Sequence, residues 1–99
     1  MQRQNIHEST LLRVARIELD ANEQGPMHKH SEAREQILCL EGLLGVELEN
    51  RRHSLASGEQ MTIAPDQHHR VFNASDQACA YLLSQFGHHD FIIEHKDGE

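Results

Sequence analysis

The chain has 99 residues, 37% hydrophobic and 25% charged, enough for one compact core and too apolar for a disordered polymer. Acidic side chains outnumber basic ones by 16 to 9, a net charge of −7 that argues against nucleic-acid phosphates or an anionic membrane face as the main partner. No apolar run approaches a membrane span and the first residues lack a signal-peptide core, so a cytoplasmic protein acting on small molecules or proteins is expected.

In chain order, apolar-rich runs at 11–19, 36–40, 43–48, 60–64, 69–73 and 77–86 alternate with turn formers such as Gln24-Gly25-Pro26, Ser57-Gly58 and Pro65-Asp66. Strands this short, with turns at such intervals, predict an antiparallel sandwich or barrel. The first run separates Leu11, Arg13, Ala15, Ile17 and Leu19 from Leu12, Val14, Arg16 and Glu18, an imperfect alternation. Residues 31–41 are rich in good helix formers, with Ser31 as a cap and Gly42 as a C-cap, and propensity alone predicts a helix there. Gly45 inside 43–48 predicts a bulge or a close backbone approach, and Asn50 suits a hairpin tip. His53 beside that tip reads as a solvated turn residue. Cys39 and Cys79 lie in apolar runs and read as reduced core thiols. Tyr81 is expected as a half-buried core tyrosine. Residues 87–99 read as a tail whose His88, His89 and His95 are exposed, while Phe91-Ile92-Ile93 is apolar enough to pack on the barrel or on a second subunit.

Nine histidines stand out, and they form no terminal tag-like run. In His28-Lys29-His30 an extended backbone puts both rings on one face, about 6–7 Å apart, close enough to lean onto one cation. Such a pair alone is common on solvated edges. Glu35 follows five residues after His30, and His69 opens a later run. Three neutral imidazoles with one carboxylate suit Fe, Mn, Ni, Cu, Co or Zn.

The spacing as a whole resembles the small single-domain cupins with a conserved barrel. Their first motif runs Gly, five residues, His-x-His, three or four residues, Glu, six residues, Gly. Here His28, His30, Glu35 and Gly42 match it, with Asn22 in place of the opening Gly. Their second motif runs Gly, five residues, Pro-x-Gly, two residues, His, three residues, Asn. Gly58, His69 and Asn73 match it, while Ala64 takes the Pro position, with Pro65 one residue late, and Asp66 takes the turn Gly.

The resemblance implies a single all-β domain over 1–99, a double-stranded β-helix (jelly-roll) whose barrel covers about 11–86. It replaces the helix at 36–41 with a strand and leaves room for one helical turn at 31–34. It carries over His28, His30, Glu35 and His69 as ligands of one divalent transition metal ion, and it favours a homodimer. Alternation then puts Ile37 and Cys39 on Glu35's face, and Val71 and Asn73 on His69's, as walls near the metal; His68 points out. Small cupins include dioxygenases, isomerases, decarboxylases, oxalate-processing enzymes, sugar-binding modules and effector domains of regulators. With no Lys or Asp on an inward position, a metal-dependent dioxygenase-like enzyme is the first expectation for a partly apolar, chelating small molecule. A non-catalytic binding or sensing module is the alternative, and a metal that merely staples a small barrel is the third.

Overall fold

The computed structural model describes residues 1–88 and 92–93. Its strands are β1 (Gln2–Glu8), β2 (Leu12–Leu19), β3 (His28–Lys29), β4 (Arg34–Glu41), β5 (Leu43–Leu48), β6 (Arg51–Ala56), β7 (Gln60–Ile63), β8 (His69–Phe72), β9 (Cys79–Phe86) and β10 (Ile92–Ile93). They form two antiparallel sheets, ordered β1-β2-β9-β4-β7 and β10-β3-β8-β5-β6. Packed face to face, these make the double-stranded β-helix.

Period-2 burial builds the inner faces. Ala15, Ile17 and Leu19 of β2 turn inward, as do Glu35, Ile37 and Cys39 of β4 and Val46 of β5. Leu19, Ile37, Leu44 and Ile63 are fully enclosed, each contributing about 1.5–3 kcal/mol from removal of its side chain from water. Leu19, Cys39, Leu44 and Cys79 fill one end of the core. The buried polar groups His30, Glu35, His69 and Gln85 gather towards the other.

No helix forms among the described residues: Ser31 and Glu32 make a bend and Arg34 already opens β4, in place of a helical turn at 31–34. β4 has β9 on one side and β7 on the other, and that ladder outweighs the helix propensity of its residues. Four of the described strands lie outside the expected runs: β1, β3, β6 and β10. The hairpin tip is Glu49–Asn50, both at positive φ (50° and 65°). His53 consequently sits inside β6 and is partly buried, not in a solvated turn. Ile92 and Ile93 form β10 against Lys29 and His28, so part of the expected tail belongs to a sheet. Phe91, His89 and His95 lie outside the described residues.

The two substituted turn positions explain themselves. Asn22 and Asp66, standing where the motifs have glycine, adopt φ of 60° and 67°, a region these short polar side chains tolerate best after glycine. Gly45 allows a close approach without a bulge: its register is continuous, and a Cβ there would lie 2.3 Å from the Phe72 ring.

Candidate metal centre

Short pieces of both sheets assemble the cluster. His28 in β3 and His69 in β8 are register partners, His30 follows β3, and Glu35 enters from β4 in the facing sheet. The backbone amide of Asp66 donates to the His30 carbonyl at 2.7 Å and ties the β7–β8 turn to this segment. One potential ligand atom from each of His28, His30, Glu35 and His69 falls within 4.8 Å of every other. His30, Glu35 and His69 are buried, and His28 is partly exposed at the rim.

Two rings are oriented from behind. His28 Nδ1 donates to the Pro26 carbonyl and His69 Nδ1 to the Gln67 carbonyl, each at 2.9 Å. This fixes the tautomer that turns the Nε2 lone pair of each ring away from its carbonyl, the usual support behind a metal-binding histidine. Glu35 Oε1 lies 2.7 Å from His30 Nε2 and 3.0 Å from His69 Nε2. Glu35 Oε1 and His69 Nε2 are nonetheless buried without a hydrogen bond of acceptable geometry. Two lone-pair-bearing atoms brought this close, dry and unsatisfied, call for a positive charge between them. Three imidazoles and a carboxylate are a donor set that a divalent transition metal fits.

The protonation states agree. Burial pushes the His28 imidazole down to about 4, leaving it neutral and able to ligate at neutral pH. Burial works against ionisation of Glu35, but the His30 and His69 rings beside it outweigh that and hold the carboxyl at about 2.

The cluster faces a cavity of about 450 Å³. Ile17, Ile37, Val71 and Leu83 supply apolar wall, and Tyr81, buried rather than half-buried, adds a phenol. Burial raises the Tyr81 phenol and keeps it neutral. Cys39 and Asn73 share the expected faces but are not on this wall. Cys39 lies deeper, its thiol towards the Glu41 and Gly42 carbonyls. Asn73 instead joins two loops, donating to the Asp20 and Gln77 carbonyls at 3.2 and 2.6 Å and accepting from Ser75. His68 lines a separate outer depression with Glu47 and Arg70, and His88 is exposed.

Sequence reasoning missed three polar lining residues. The Gln85 side-chain nitrogen is buried 3.2 Å from His30 Nε2, while Arg3 and Arg13 also line the cavity. Arg13 was visible in the alternation that grouped it with Ala15 and Ile17; Arg3 lies on a strand with no apolar pattern.

The sequence profile described as Cupin domain matches residues 15–84. No curated protein sequence matches the chain. Among solved structures, a conserved double-stranded β-helix protein from Klebsiella pneumoniae superposes with a TM-score of 0.86 at 14% identity, covering 96% of this chain and 84% of its own. The cupin domain of an XRE family transcriptional regulator from Enterobacter cloacae gives 0.78 at 15% identity, with 90% and 96% coverage. An oxalate oxidase gives 0.73 at 21% identity, over 83% of this chain and 45% of its own.

Proposed function

The chain belongs to the cupin-domain family, and from that premise we propose that it holds one divalent transition metal through His28, His30, Glu35 and His69 and acts on a small molecule in the adjoining cavity. The observation that carries this reading is the pair Glu35 Oε1 and His69 Nε2, buried, close and without hydrogen bonds. A bound metal would supply Lewis acidity and, if redox-active, dioxygen activation. The protein's own part is to hold His28 and His69 in the ligating tautomer, to keep Glu35 ionised, and to exclude water with Ile17, Ile37, Val71 and Leu83. Tyr81 offers a neutral hydroxyl and Gln85 an amide to a ligand in the cavity.

Dioxygenase-like chemistry is the version we favour. Among the described residues the cavity wall carries no carboxylate other than Glu35 and no lysine, which disfavours an acid–base reaction such as sugar isomerisation. Metal analysis of the purified protein, then loading with Fe(II), Mn(II), Ni(II) or Cu(II) and following dioxygen uptake with small catechols, thiols and diketones, tests it. Stoichiometric metal with turnover for one ion is expected. Tight ligand binding with no turnover for any metal favours the binding or sensing module, a reading supported by the likeness to a regulator's cupin domain. Failure to take up metal overturns both.

Two further assignments belong here. β1 is exposed along all seven residues, with Ile6 at 57%, and Leu11, Leu43 and Phe86 add apolar surface; this supports a two-fold homodimer. A sedimentation coefficient of a monomer at micromolar concentration overturns it. Two free, buried thiols suit a reducing compartment such as the cytoplasm.

A further inference from the structure

The inner face of the first sheet carries two aligned cross-strand rows. Arg13 pairs with Gln85, and Gln85 with Glu35; four residues further along β2, Arg3 pairs with Ile17, and Ile17 with Tyr81. Directly opposed residues point to the same side of a sheet, so both arginines share the face of Glu35, Tyr81 and Gln85, and all five line the cavity. Ala15, between Arg13 and Ile17 on that face, leaves room beside the guanidiniums.

Among the described residues, Arg3 and Arg13 are the charged side chains on the wall apart from the His–Glu cluster. In a chain of net charge −7, two arginines and no further acid beside Glu35 on this described wall is not what composition supplies. Their partners also leave them available. Arg3 donates through Nε to Asn5 at 2.9 Å, and Arg13 Nε lies 3.4 Å from a Glu8 carboxylate that is itself 61% exposed. Among the described residues, the terminal nitrogens of both make no hydrogen bond. A pair at such exposure is worth roughly 0–1 kcal/mol, little resistance to a ligand carboxylate able to take two parallel bonds.

We propose that the ligand of this cavity is dianionic, with one carboxylate directed to the His28–His30–Glu35–His69 cluster and a second anionic group held by Arg3 and Arg13. The inference rests on the metal-centre reading for the first contact only. Neighbouring strands lie about 4.8 Å apart, so the Arg13 backbone is about 10 Å across the sheet from that of Glu35, a gap that an arginine side chain and a short linear dicarboxylate together span.

Calorimetry on the full-length protein tests this. Ni(II)-loaded protein is titrated, at fixed ionic strength, with the dicarboxylates from oxalate to adipate and with monocarboxylates of matched length. At least one dicarboxylate is expected to bind about tenfold or more tightly than its monocarboxylate. The doubly substituted Arg3→Gln, Arg13→Gln protein should lose that preference while retaining wild-type melting temperature and nickel stoichiometry. Lysine at both positions should restore part of it, because charge returns without the fork. Equal binding of both series by the wild type, or a preference that survives the double substitution, overturns the proposal and leaves the metal centre standing. If the wild type takes up no nickel, the metal-centre reading fails; the same comparison on metal-free protein then decides the arginine site alone, by the same two criteria.

Discussion

Glu35 and Gln85 face each other across the β4–β9 ladder, both buried on the inner face of the first sheet, and Gln85 also reaches His30. A neutral amide therefore stands where a second carboxylate would be opposed directly to the first. Gln85→Glu should destabilise the metal-free protein by about 1–3 kcal/mol, since two buried like charges cannot both ionise cheaply at that separation. Added Ni(II) should recover most of the loss. Urea unfolding with and without the metal measures both, and an equal loss in the two conditions counts against a cation beside Glu35.

Removing a cluster member should separate ligation from histidine content. His69→Ala should lower metal affinity by at least a hundredfold and abolish stoichiometric metal by elemental analysis. His88→Ala, at an exposed position outside the cluster, should leave it unchanged. Equal loss in both variants sinks the assignment.

Acid should unfold the metal-free protein in two limbs. His28 falls from its ordinary 6.5 to about 4, so its contribution is complete above 6.5 and is lost as pH drops towards 4. Glu35 falls from 4.5 to about 2, so its contribution is complete above 4.5 and is lost towards 2. Each limb should cost on the order of 2 kcal/mol. Urea midpoints from pH 7.5 to 3 trace them; His28→Gln should flatten the upper limb alone.

Gly45 carries a purely steric prediction. Gly45→Ala drives a methyl into the Phe72 ring, which is itself covered by the Arg52 guanidinium 4.7 Å from its centroid, and should cost about 1–3 kcal/mol. Phe72→Leu in the same chain should return part of that. Additive losses in the double variant would contradict the contact.

The β-barrel was legible because β2, β4, β5, β8 and β9 are inward-facing strands with runs of buried Ile, Leu, Val and Cys every second residue. β1 was not: Gln2–Glu8 is an edge strand with Ile6 as its one aliphatic, and pairing to β2 rather than burial makes it a strand. β6 hid for a related reason, as only Leu55 of its six residues is buried. The convergence of His28, His30, Glu35 and His69 could be read from motif spacing. Gln85, Arg3 and Arg13 could not be assigned to the same cavity, because that depends on which strands become neighbours. Residue spacing within one strand carries no information about that order.

β9 lies between β2 and β4 and bonds β2 from Leu12–Phe86 to Leu19–Cys79. The first sheet is thus closed by a strand made more than sixty residues after β2 begins. On a ribosome moving at about 5–20 residues per second, β2 paired only to β1, and β4 only to β7, spend seconds with one edge open, waiting for residues 79–86. A nascent chain cut short before β9 lacks the strand that joins the β1–β2 pair to the β4–β7 pair. Translational pauses within that stretch, more than any loss of ligand, are where this protein is most exposed to chaperones and aggregation.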